Sequence, residues 1–145
     1  MNRYLDSGVI VKLYVPEPNT PEAIALVARQ SPPDVLTEWQ AVEVRNAVRL
    51  KRFRGEITPT QLRSALRSFA ADERLGRWQR PVLDLGDTLR RAEVISRKYA
   101  PALGCRTLDI VHVAAAQVLA LREMLSFDGR QRALARKVGL RVAPR

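Results

Sequence analysis

The segment "RTLDIVHVAAAQVLAL" (106–121) constrains this chain more than any other. Thr107 reads as the cap of a helix. Behind it Leu108, Ile110, Val111, Val113, Ala114, Ala115, Ala116, Val118 and Leu119 leave a helix with almost no polar face. A helix that is apolar all round belongs in an interior. Yet Asp109 sits in its first turn, and His112 one turn further on.

The rest of the chain alternates between strand-like and helical segments. "NRYLD" (2–6) reads as a short strand ending at Asp6, and "SGVIVKLYV" (7–15) either continues it or opens a short helix at Ser7. "TPEAIALVARQ" (20–30) reads as a helix with Thr20 as its N-cap and Pro21 at the first helical position. "DVLT" (34–37) is strand-like. A long helix follows from Thr37 to Arg54, with Gly55 as its stop. Thr58 and Pro59 open another helix that ends near Gly76. "WQRPVLDL" (78–85) reads as a strand weakened by Pro81. Helices are expected over about 87–99, 107–121 and 129–139, with strands at "EMLSFD" (123–128) and "LRVA" (140–143). Strands separated by helices predict an α/β fold with a mainly parallel sheet, whose ligands bind beyond the carboxyl ends of the strands. Asp6 and Asp128 both fall at such ends.

The length of 145 residues suits one domain, 1–145. Lys and Arg number 25 against 15 Asp and Glu, a formal charge of +10 that favours a polyanionic partner or simply keeps the chain in solution. With one cysteine, Cys105, and one histidine, neither an internal disulfide nor a thiolate zinc site can be built, which fits a reducing cytoplasm. Asp6 and Lys12 interrupt the first apolar run, so no secretory signal pattern is read there, and no apolar stretch reaches the length of a membrane span.

Four carboxylates stand where apolar surroundings disfavour them. Asp6 ends a strand. Glu43 lies in the stripe of Trp39, Val42, Asn46, Leu50 and Phe53 on the 37–54 helix. Asp109 opens the apolar helix, and Asp128 follows "LSF". Each alone has an ordinary explanation: a stripe-margin Glu reaching water, a carboxylate on the helix dipole, a turn Asp before Gly129. His112 alone is a hydrogen-bonded core residue more readily than a ligand. Together, four converging carboxylates would repel or take up protons unless a cation neutralised them. Hard oxygen ligands suit Mg²⁺, with Mn²⁺ as substitute. No phosphate-cradling glycine loop and no G-x-S-x-G elbow is present.

"YLDSGVIVKLYVPE", "VEVRNAV", "RTLDIVHVAAA" and "LSFDGRQRALARKVGL" resemble, in order and spacing, the PIN-domain ribonucleases, and among them the VapC-type toxins of toxin–antitoxin pairs. The resemblance covers essentially the whole chain. It implies a three-layer α/β/α sandwich around a parallel sheet, a metal-dependent endoribonuclease, a homodimer, and inhibition by a small antitoxin protein. It places the family's acidic site on Asp6, Glu43, Asp109 and Asp128, as both metal ligands and catalytic residues. Ser126 stands where a Thr is common and keeps the hydroxyl beside Asp128. Gly8 stands where many members have Ser.

On this reading RNA is hydrolysed by a metal-activated water. Phosphates would be held by Arg45, Arg49, Lys51, Arg52 and Arg54, and by Arg130, Arg132, Arg136 and Lys137. Trp39 and Trp78 are candidates for base stacking, or for the core. Two rival readings are a non-catalytic basic nucleic-acid-binding domain and a metal-dependent phosphatase acting on small phosphate esters.

Overall fold

The structure, a computed structural model, describes residues 3–145. In chain order the elements are β1 (Arg3–Leu5), α1 (Ser7–Val11), α2 (Thr20–Val27), β2 (Asp34–Val35), α3 (Glu38–Phe53), α4 (Pro59–Arg74), β3 (Trp78–Gln79), α5 (Leu85–Leu103), α6 (Thr107–Val118), β4 (Glu123–Leu125), α7 (Gly129–Lys137) and β5 (Arg141–Ala143). The α/β class and the parallel pairing are as the sequence predicts; Asn2, the first residue of the expected opening strand, lies outside the described residues. The described residues form two compact units, residues 3–6 with Pro81–Arg145, and Ser7–Arg80.

In the first unit the strands run β1–β4–β5, all parallel. Tyr4 pairs with Met124 and Leu5 with Leu125. All four are buried, so both faces of the sheet are covered, as parallel sheets require. The ladder continues past the last paired residue, where the Asp6 N–H donates to the Leu125 carbonyl at 2.9 Å. Helix α6 is as interior as its composition demands: Val113, Ala114, Ala115 and Ala116 have no exposed surface. It meets solvent near its ends, where Thr107, Leu108 and Val118 are exposed and Gln117 is half-buried. Helix α5 packs along it and is longer than expected. It starts from Asp84, whose carboxylate accepts the Asp87 N–H at 2.8 Å, and ends on Gly104 in the left-handed region at φ 64°.

The second unit holds the two-stranded parallel sheet of β2 and β3, with α1 against α3 and α3 against α4. The expected strand over 78–85 pairs only at Trp78 and Gln79, because Pro81 has no N–H to continue the ladder. The two Thr starts are borne out. Thr37 and Thr58 each accept the backbone N–H three residues on, and the Gln there returns a bond to the cap N–H. At Thr20 the expectation needs correction. Asn19, left-handed at φ 68°, precedes the helix, and the Thr20 hydroxyl instead accepts from the Glu17 N–H.

The phase of α3 also differs from expectation. Its buried side is Gln40, Ala41, Val44 and Val48, whereas Val42 and Phe53 are 65% and 87% exposed. Side-chain size misled the sequence reading: the capping box fixes Gln40 inside, and the small residues following it at helical spacing complete the inner face. Glu43 therefore stands half-buried beside that face and not within a stripe of large apolar residues.

Glu17 ties this unit together electrostatically. It accepts from Lys12 at 2.7 Å and pairs with Lys51, which also reaches Glu56. Burial works against its charge, but the hydrogen bonds and charges of Lys12 and Lys51 outweigh that and hold its carboxyl below the ordinary 4.5. A lowered folded-state value stabilises the fold above the ordinary value, and that contribution is lost as pH falls through the folded one. Glu17→Gln is expected to cost roughly 1–2 kcal/mol at pH 7, the scale of hydrogen bonds to a charged group. In parallel urea melts the difference from wild type should shrink steadily once the pH drops below the ordinary carboxylate range. A deficit unchanged by acid would show that the ion pairs contribute nothing.

Candidate metal centre

Asp6, Asp109 and Asp128, all in the first unit, are each placed by a different element end. Asp6 follows β1 directly. Asp109 lies in the first turn of α6, where its Oδ2 accepts the Arg106 backbone N–H at 3.1 Å and so supplies the cap that Thr107 was expected to give. Asp128 caps α7, its Oδ1 accepting the Gln131 N–H at 2.9 Å. Ser126 is fully buried and its hydroxyl accepts the Asp128 N–H at 3.1 Å, so the hydroxyl expected beside Asp128 is there.

Two residues that sequence reasoning missed join these carboxylates. Gln131, only 1% exposed, donates its side-chain N–H to Asp6 Oδ1 at 3.2 Å while its backbone N–H holds Asp128. Its own Oε1 is buried and has no hydrogen-bond partner among the described residues. Arg106 reaches Asp109 Oδ2 through Nε at 3.3 Å and Asp128 Oδ2 through Nη2 at 3.9 Å. The spacing signals were present: Gln131 sits three residues after the capping Asp128, and Arg106 three before Asp109. Tyr4 and His112 brace the same region from beneath. The Tyr4 hydroxyl and His112 Nδ1 are 2.8 Å apart, tying the strand that leads to Asp6 to the helix that Asp109 opens. His112 is thus a buried, hydrogen-bonded core residue.

The fields of Asp109 and Asp128 overlap at Cys105. Burial raises its thiol pKa first, and the two carboxylates raise it further against the opposing charge of Arg130. Acidic groups this close need a counter-charge, and a guanidinium supplies one. Among the described residues no three His, Cys, Asp or Glu side chains close on a single point to hold an ion by themselves. The donors are all hard oxygens, the shared cation shows where positive charge is wanted, and the orphaned Gln131 oxygen marks unmet polar demand. These features fit Mg²⁺, which takes few carboxylates and keeps several waters.

Glu43 belongs to the Ser7–Arg80 unit, where it accepts the Ser7 hydroxyl at 3.1 Å. The basic residues divide. Arg45 lies over the Phe69 ring and pairs with Glu73, and Lys51 is held by Glu17 and Glu56, so neither is the open phosphate contact the sequence suggested. Arg132 donates to the Pro144 carbonyl at 2.7 Å. Arg49, Arg52, Arg54, Arg130, Arg136 and Lys137 are exposed. Trp78 is buried and donates to the Tyr14 hydroxyl, which settles it as core; Trp39 is half-buried.

No family model matches the chain. It is similar to Ribonuclease VapC46 of Mycobacterium tuberculosis, 35% identical over 141 residues, which cover 96% of this chain and 94% of the relative. Identity at that level along nearly the full length of both proteins agrees with the parallel α/β fold and with the motif order of the sequence. The chain belongs to the VapC-type PIN-domain ribonucleases.

Proposed function

We propose that this chain, acting as one nuclease domain, is a Mg²⁺-dependent endoribonuclease, with Mn²⁺ as a substitute ion, and the toxin of a toxin–antitoxin pair. The observation that carries this is the linkage of Asp6, Asp109 and Asp128 through Gln131 and Arg106 beyond the carboxyl ends of β1 and β4. In a parallel α/β protein that is where a ligand is expected. Asp6, Asp109 and Asp128 would hold the ion, with Glu43 as the fourth carboxylate of the family's site. The chemistry such an ion supplies is activation of water and neutralisation of charge developing on the phosphate. Gln131 fixes the orientation of Asp6 and Asp128, and the Tyr4–His112 bond fixes β1 against α6. The exposed Arg and Lys residues supply sequence-independent attraction for the RNA backbone. The relative's name supports ribonuclease action. An antitoxin protein as partner and a homodimer are what the family leads one to expect, and a cytoplasmic site of action is the reading of the single cysteine; among the described residues no helix is long and apolar enough to cross a membrane.

End-labelled RNA incubated with the purified chain tests this. Cleavage is expected with Mg²⁺ or Mn²⁺, to stop on adding a chelator, and to return with excess Mg²⁺. Cleavage indifferent to chelator would overturn the metal role. RNA that is bound at moderate salt and never cut would leave a non-catalytic binding domain, and turnover of a generic phosphate ester beside intact RNA would leave a phosphatase.

A further inference from the structure

We infer that Arg106 is an exchangeable counter-ion of the site, neutralising Asp109 and Asp128 in the metal-free chain and competing with the divalent ion for them. This rests on the reading of those two carboxylates as metal ligands. The geometry is specific. Asp109 Oδ2 takes both the backbone N–H of Arg106, at 3.1 Å, and its Nε, at 3.3 Å. Asp128 Oδ2 faces Nη2 of the same guanidinium at 3.9 Å, and Asp128 Oδ1 is held by the Gln131 N–H. Three of the four oxygens of the pair are therefore engaged, two of them with one side chain. A hard cation needs those oxygens, and two cations cannot share them without repulsion.

The same geometry shows why the guanidinium can leave. Its side chain is 73% exposed, whereas that of Asp109 is 11% exposed. The carboxylate is fixed by the helix start and the arginine is not: the cap bond to Asp109 comes from the backbone of Arg106 and survives any movement of its side chain. Exposed ion pairs are weak, so the arginine is a neutraliser that gives way, unlike a buried partner that would lock the site. A chain with this residue tolerates a pair of close carboxylates before metal arrives, at the cost of some metal affinity.

Mn²⁺ titration calorimetry of the full chain at low salt, with Asp109→Asn, Arg106→Gln and Arg130→Gln alongside wild type, tests the inference. Arg130 is the control: its charge acts on Cys105, as those of Asp109 and Asp128 do, but among the described residues it is Arg106 that forms the ion pairs with the two carboxylates. Arg106→Gln is expected to bind Mn²⁺ about 3–10-fold tighter, from the loss of two exposed contacts, and Arg130→Gln less than about twofold tighter. Unchanged affinity in Arg106→Gln, or equal gains in both arginine variants, would overturn the counter-ion role while leaving the metal site intact. If wild type binds no Mn²⁺, or Asp109→Asn binds it as well as wild type, the metal reading itself fails and this inference with it. Metal-free melts supply an independent readout. Arg106→Gln should lower the Tm of the chelated wild type, and should do so less in an Asp109→Asn background. Additive effects of the two substitutions would also overturn the pairing.

Discussion

Asp109→Asn is expected to reduce RNA cleavage by about 10²–10³-fold at saturating Mg²⁺, the consequence of losing several kcal/mol of charge stabilisation at tenfold per 1.4 kcal/mol. The substitution is nearly isosteric. The Asn side-chain oxygen can still accept the Arg106 backbone N–H that starts α6, so the helix should begin where it does now. What disappears is the negative charge in the first turn, a stability loss of roughly 0.3–1 kcal/mol from the helix dipole. Relief of repulsion toward Asp128 offsets part of that loss. The expected signature is therefore a large fall in rate with a melting temperature close to wild type, read from initial rates on labelled RNA and a parallel circular dichroism melt. A variant that cuts RNA at the wild-type rate would remove Asp109 from the chemistry. One that is inactive but also largely unfolded would instead assign it a structural role.

The sequence made some of this site legible and hid the rest for physical reasons. Asp6, Asp109 and Asp128 could be read because each contradicts its apolar neighbourhood, and an expensive residue in such a place signals compensation. Helix α6 was legible because no amphipathic alternative exists for its composition. The Thr37 and Thr58 starts were legible because capping is a local interaction. Gln131 and Arg106 were not, since both lie in stretches that read as polar surface, and only tertiary placement turns one into a buried clamp and leaves the other as a counter-ion. Arg45 and Lys51 misled in the opposite sense. They looked like part of a free basic face and are engaged by Glu73 and by Glu17 with Glu56. Strands β2 and β3 shrank to two residues each because strand propensity does not determine where a partner strand ends.

Phe69→Ala is expected to be the most destabilising substitution in the Ser7–Arg80 unit, costing about 3–5 kcal/mol as large-to-small changes at buried aromatics do. Phe69 is 1% exposed and sits at the centre of an aromatic cluster: it forms a T-shaped pair with the Tyr14 ring at 5.3 Å between centroids, and Trp78 lies at 6.4 Å. Arg45 stacks over it at 5.1 Å. Around that ring runs a polar shell whose geometry depends on it. The Tyr14 hydroxyl donates to Asp72 at 2.6 Å and accepts from the Trp78 indole N–H at 2.9 Å. Burial and the Asp72 carboxylate together push the Tyr14 hydroxyl pKa well above its ordinary value, so it stays a donor throughout the neutral range. Removing the ring opens a cavity beneath a hydrogen-bonded network and takes away the face on which Arg45 rests while it pairs with Glu73. At roughly 2–4 °C per kcal/mol for chains of about this size, the melting temperature should fall by about 10 °C. Phe69→Leu refills much of the volume and should recover more than half of the loss, because the cavity term shrinks with the space left empty. If Phe69→Ala and Phe69→Leu melt alike, the cluster is held by its edge-on ring contacts and the cavity is not the cause. If neither moves the melt, the cluster does not support the unit at all.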